Sequence, residues 1–215
     1  MGPYKYKFRR SFKNYLKIVS SEIPSPKAVL DAACAYGKFI DLFKNDNYMG
    51  IDINADAILF LKDRYPGRHK FFVVDMVNEI YPKNFDYSDV TPTERNGIGN
   101  GTGGFDLVIS THTLSHIAPE KHYIVLDKLI GSTKINGFMI LHVNSKNIRT
   151  IAYLKEKMII LRESSYRGYV SDVMENNFSV AFHKSRIGGY INNILSFFDP
   201  GGRDSVFLCR GPLDS

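Results

Sequence analysis

The strongest constraint on this chain is a repeating order: short apolar runs that end in small or acidic residues, separated by segments with a helical stripe. Ala28-Val29-Leu30-Asp31-Ala32-Ala33-Cys34 follows the break Pro24-Ser25-Pro26 and reads as a buried parallel strand. From Lys38 to Phe43 the apolar residues fall on one helical side, Asn45 to Asn47 interrupt the pattern, and Tyr48-Met49-Gly50-Ile51-Asp52-Ile53 forms a second strand. Asn54 caps a helix with the stripe Ala57, Ile58 and Leu61, Pro66-Gly67 ends it, and Phe71 to Val74 is a third strand. Phe105-Asp106-Leu107-Val108-Ile109-Ser110 is a fourth strand. A helix then starts near Pro119 and runs through Tyr123, Leu126 and Ile130, and Gly137 leads into a fifth strand from Phe138 to Val143. The remainder is read as a helix from Arg149 to Arg162 and strands near Phe178 to His183 and Ser205 to Cys209. Such alternation implies an α/β fold: a three-layer αβα sandwich around a mostly parallel sheet with right-handed crossovers.

A length of 215 residues suits one domain spanning 1–215, and no internal repeat divides it. No apolar stretch approaches the roughly 18 residues that span a bilayer, and the N-terminus lacks the features of a secretory signal, so a cytoplasmic setting is expected. The two cysteines, Cys34 and Cys209, lie far apart in apolar runs without metal-ligand spacing, and are read as reduced and structural.

The formal net charge is +6, and Lys5, Lys7, Arg9, Arg10, Lys13 and Lys17 crowd the start of the chain. Interleaved with them, Phe8, Phe12, Tyr15, Leu16 and Val19 recur at helical spacing, so residues 1–24 read as a basic amphipathic helix. Its cationic face is open to two readings, a solvated surface or a site for polyanion or membrane. Between 78 and 104 periodicity disappears and the run from Asn96 to Gly104 is rich in glycine, so 78–104 reads as a mobile insertion.

In an open α/β sheet, ligands collect beyond the carboxyl ends of the strands. There the chain places Asp31, Ala33, Ala35 and Gly37 after the first strand, Asp52 after the second, and Asp75 after the third. Asp31 or Asp75 taken alone could equally cap a helix or stabilise a turn, whereas Asp52, which follows an apolar strand, is the strongest single binding candidate. The set, from Val29-Leu30-Asp31-Ala32-Ala33-Cys34-Ala35-Tyr36-Gly37 through Gly50-Ile51-Asp52-Ile53 and Val74-Asp75-Met76 to Phe105–Ser110 and His116-Ile117, resembles the class I S-adenosylmethionine-dependent methyltransferases. The resemblance covers roughly residues 28–145 and is strongest for small-molecule enzymes with an undecorated core.

This resemblance implies a Rossmann-like sheet of seven strands and S-adenosyl-L-methionine as cofactor. It implies that the turn from Ala33 to Gly37 passes under the methionine part and that Asp52 accepts hydrogen bonds from both ribose hydroxyls, with Ile53 packed on the adenine. Asp75 and the Met76 N–H would read the adenine edge, the Ser110 carbonyl would face the methionine ammonium, and Asp31 closes the cofactor set. One departure stands out: the family commonly has glycine where this chain has Ala33 and Ala35. Each added methyl narrows the approach of backbone to ligand, so binding is expected to survive in weakened form.

His112 and His116 lie just beyond the fourth strand, where an acceptor approaches, and either is a candidate general base. His116 also has a packing role open to it, against the following helix. His142 and Asn144 are candidates to line the acceptor site, whereas His69, His122 and His183 read as surface or turn residues. No arrangement of acids suggests a divalent metal. The N-terminal helix with Tyr4 and Tyr6 is a candidate lid. The function implied is methyl transfer to an oxygen or nitrogen of a small molecule, such as a sugar or a natural-product intermediate. Nucleic-acid or protein methylation through the basic N-terminal face, and a non-catalytic partner of the same fold, are the alternatives. Ser110-Thr111-His112-Thr113 differs from the Asn/Asp-Pro-Pro-aromatic tetrapeptide associated with methylation of planar nitrogens. That difference favours the small molecule. The oligomeric state is not legible.

Overall fold

A computed structural model describes residues 21, 23, 26–43, 47–67, 69–81, 104–144, 146–166 and 204–212. The basic segment at the N-terminus, most of the glycine-rich insertion and the strand expected near Phe178 to His183 lie outside these residues.

Among the described residues, seven strands form one sheet in the order β3-β2-β1-β4-β5-β7-β6. They are β1 (Ala28–Ala32), β2 (Asn47–Asp52), β3 (Lys70–Val73), β4 (Phe105–Ser110), β5 (Thr133–Asn144), β6 (Met158–Tyr166) and β7 (Asp204–Pro212). Among the described residues the α-helices are α1 (Ala55–Arg64), α2 (His122–Ser132) and α3 (Ile148–Lys157). Strands β1 to β5 pair in parallel, while β7 runs antiparallel to both β5 and β6, so the sheet is mixed. The chain moves outward from β1 to β3 and then returns to the other side of β1 with β4. The switch point is therefore at the carboxyl ends of β1 and β4, where the crevice of such a sheet opens.

Alternation along the strands creates two apolar faces. Leu30, Ala32, Met49 and Ile51 pack with Val125, Leu126 and Leu129 of α2 and Leu154 of α3. Val29, Tyr48, Leu107 and Ile109 pack on the opposite side with Phe39, Ile40 and Phe43 and with Ile58 and Leu61 of α1. Three layers result. Helix α1 begins where expected because the Asn54 side chain accepts from the Asp56 and Ala57 N–H groups at 3.0 and 3.2 Å.

Two local expectations are corrected. The helix expected from Lys38 to Phe43 is reduced to one 3₁₀ turn at Ile40–Leu42, which still buries Phe39, Ile40 and Phe43. The helix expected from Arg149 to Arg162 stops at Lys157, and Met158 starts β6. A run such as Met158-Ile159-Ile160-Leu161 satisfies either period, and pairing with β7 decides it. Cys34 and Cys209 are both free and buried. Among the described residues, no helix is long and apolar enough to cross a membrane.

Candidate functional site

Strand register brings the ends of the first four strands to one level. Ala32 pairs with Ile51 on one side and Ser110 on the other, and Asp52 pairs with Val73. Beyond Ala32 the chain turns tightly. The N–H groups of Ala33 and Cys34 both donate to the Ile51 carbonyl at 2.8 and 3.0 Å, and Gly37 N–H donates to the Cys34 carbonyl at 2.9 Å. Ala33, Ala35 and Gly37 have φ of 68°, 45° and 73°. The two alanines therefore hold the left-handed conformation that glycine adopts at little cost. Gly37 has a second constraint, since a Cβ there would meet Leu61 Cδ2 at 2.6 Å.

Asp52 is tied directly to this turn. Its Oδ2 accepts from Ala35 N–H at 2.8 Å and its Oδ1 from Asn54 N–H at 2.9 Å. An ionised carboxylate offers about four lone-pair positions, so these two bonds leave room for two more donors. Ile53, the next residue, is 67% exposed at the strand end. Ala33, Ala35, Gly37, Asp52, Ile53 and Ser110 thus converge at the switch point.

Asp31 and Asp75 are placed differently. The Asp31 side chain is buried and accepts a hydrogen bond from the Tyr48 hydroxyl. Burial pushes its carboxyl up to about 7, against the opposing effects of the Tyr48 bond and the Lys38 charge. Asp75 lies in a loop closed on itself: its Oδ1 accepts from Val77 and Asn78 N–H, and its Oδ2 from the Asn78 amide. Partial burial draws this carboxyl upward, but those hydrogen bonds and the Lys128 charge outweigh it and hold it below the ordinary carboxylate range. The Met76 side chain is buried in the core, which leaves its backbone as the group that can face a ligand.

On the other side of the switch point, Ser110 Oγ donates to Thr113 Oγ1 at 2.9 Å, and Thr113 Oγ1 donates to the Ala32 carbonyl at 3.4 Å. These bonds fasten the segment after β4 onto β1. His112, at φ 61°, donates its N–H to His142 Nδ1 at 3.3 Å, and the two rings lie 4.0 Å apart between centroids. Nδ1 of His142 is the acceptor, so its neutral ring carries the proton on Nε2. His116 is exposed on the 3₁₀ turn Leu114–His116. Two features escaped the sequence reading. Among the described residues the Thr111 hydroxyl is buried without a hydrogen-bond partner, and Lys128 reaches the loop that carries Asp75.

His122 is a correction: expected at the surface, it is 1% exposed. Its Nε2 lies 2.9 and 3.0 Å from the carbonyls of Leu114 and Ile117, and its Nδ1 lies 3.0 Å from Thr150 Oγ1. With the proton on Nε2, the ring donates to both carbonyls and accepts from the threonine hydroxyl. The signal was present, because His122 falls on the same helical stripe as Val125, Leu126 and Leu129. Among the described residues, no cluster of His, Cys, Asp and Glu is placed to hold a metal ion.

No protein-family profile matches the chain, and no curated protein matches it by sequence. Solved structures do match. The N-methyltransferase NodS from Bradyrhizobium japonicum WM9, in complex with S-adenosyl-L-homocysteine, aligns with a TM-score of 0.64 at 13% identity over 97% of this chain and 90% of NodS. A TehB-like S-adenosylmethionine-dependent methyltransferase from Corynebacterium glutamicum aligns at 0.58 and 12% identity over 95% of each chain. The [4+2]-cyclase SpnF aligns at 0.58 and 11% identity over 94% of this chain and 82% of SpnF. At such identities the likeness is one of fold.

Proposed function

We propose that this chain, which has the fold of the class I S-adenosylmethionine-dependent methyltransferases, binds S-adenosyl-L-methionine at the ends of β1, β2 and β4 and methylates an oxygen or nitrogen of a small molecule. The observation that carries the reading is Asp52: its carboxylate is held at the end of β2 by Ala35 and Asn54 N–H, with two acceptor positions remaining. Those suit the two hydroxyls of a ribose. In this reading the turn from Ala33 to Gly37 underlies the methionine part, exposed Ile53 covers the adenine, and the Ser110 carbonyl meets the ammonium group. The loop at Asp75 and Met76 contacts the adenine edge, and Asp31 acts from beneath through its bond to Tyr48.

The bound cofactor supplies a methyl group already activated on a sulfonium, so the chain's part is alignment, exclusion of water and acceptance of a proton. His112 is the favoured base, because its backbone bond to His142 and its ring contact fix the imidazole at the end of β4. His116, exposed on the neighbouring turn, is the second candidate. A sugar or a natural-product intermediate is the acceptor class we favour. Methylation of nucleic acid or protein would draw on the basic residues from Lys5 to Lys17, which lie outside the described residues. The free, buried cysteines support a cytoplasmic setting.

A second reading has its own observation. Ala33 and Ala35 place methyl groups in the turn on which the cofactor would lie, and SpnF, named a cyclase, has a similar fold. A partner or enzyme of other chemistry would fit these facts. Calorimetric titration with S-adenosyl-L-homocysteine separates the readings. We expect micromolar-range affinity (on the order of −8 kcal/mol) that falls at least about tenfold in Asp52→Asn, which loses one of the carboxylate's acceptor oxygens. Equal affinity of the variant removes the ribose role, and no binding by the folded wild type removes the cofactor.

A further inference from the structure

Lys128 is in α2, roughly 50 residues downstream of the loop that follows β3, yet its side chain ends inside that loop. Its Nζ donates to the carbonyls of Val77 and Glu79 at 2.6 and 2.7 Å and lies 3.4 Å from that of Met76. It also stands 5.6 Å from the centre of the Tyr81 ring. Carbonyl dipoles turned toward one point repel each other, and a compact ammonium with three donors removes that repulsion. The loop is further knotted by Asp75 N–H donating to Glu79 Oε2 and Glu79 N–H donating to the Asp75 carbonyl, each at 2.9 Å.

We propose that Lys128 is a positioning residue for adenine recognition: by gathering the carbonyls of residues 76, 77 and 79, it holds Asp75 and the Met76 backbone where the adenine edge meets them. The inference rests on the cofactor reading above. Lys128 acts through the loop, with its donors spent on backbone carbonyls. The turn at Ala33 to Gly37, by contrast, is held by β2 and by Asp52. Loss of Lys128 therefore affects one end of the ligand.

The test compares S-adenosyl-L-homocysteine with S-ribosyl-L-homocysteine, which has the same homocysteine and ribose and lacks the adenine. Affinities are measured by calorimetry for the wild type, Lys128→Met and Lys128→Arg, with thermal unfolding as the control of fold. Lys128→Met should bind S-adenosyl-L-homocysteine roughly tenfold more weakly, a size typical of residues that act on a site without touching its ligand. Its affinity for S-ribosyl-L-homocysteine should be unchanged, and Lys128→Arg, whose fork can still reach the carbonyls, should recover most of the loss. Unchanged affinity for S-adenosyl-L-homocysteine in a folded Lys128→Met, or equal losses for both ligands, overturns the proposal. Failure of the wild type to bind either ligand overturns the cofactor reading, and this inference with it.

Discussion

Replacing Ala33 and Ala35 by glycine should stabilise this protein, the reverse of what glycine does in most ordered segments. Both alanines have positive φ, at 68° and 45°, and for an L-residue this conformation costs about 1–2 kcal/mol. Relaxation is blocked by neighbours, since the Ala33 and Ala35 N–H groups are bound to the Ile51 carbonyl and to Asp52 Oδ2, each at 2.8 Å. Glycine removes the strain but returns roughly 0.4–1 kcal/mol of entropy to the unfolded chain. The net gain is about 0.5–1 kcal/mol per site. The sites are two residues apart in one turn, so a double-mutant cycle is needed to show whether the gains add. Urea unfolding of both singles and the double should show higher midpoints at constant slope, with a rise in Tm of about 2–4 °C per kcal/mol for a chain of this size. Destabilisation of about 1 kcal/mol at each site would refute the reasoning, because it would mean that the alanines hold an ordinary right-handed conformation.

Two other predictions concern stability and function together. Burial raises the native Asp31 carboxyl to about 7, so the folded protein binds this proton more tightly than the unfolded chain. The group's stabilising contribution is present in full below about pH 4 and is lost as pH rises through about 7. Wild type should therefore lose stability relative to Asp31→Asn between about pH 4 and about pH 7 in urea titrations; parallel curves for the two proteins would refute this. His112→Gly should relieve the strain of φ 61° and raise the unfolding midpoint by the equivalent of about 0.5–1 kcal/mol. It should keep its affinity for S-adenosyl-L-homocysteine, and a lowered midpoint would show that the imidazole stabilises the fold more than its backbone strains it.

By itself the sequence determined those elements whose signals are local. Apolar runs bounded by small residues marked β1, β2 and β4, Asn54 and Pro66-Gly67 marked the limits of α1, and the order of strand ends pointed to one site at the switch point. Tertiary structure decided what depends on contacts distant in sequence. Pairing with β7 turned Met158 and its neighbours into a strand, and packing closed the segment after Gly37 with a single 3₁₀ turn. Three similar aspartates acquired different environments: Asp31 lost water and met Tyr48, Asp52 kept open lone pairs, and Asp75 was absorbed by its own loop. Burial and hydrogen-bond geometry are properties of position in space, and no local pattern encodes them. The same holds for Lys128, whose carbonyl partners are brought to it only when α2 is laid across the loop after β3. Local periodicity fixes which residues face the core, whereas charge, strain and recognition depend on which distant segment arrives beside them.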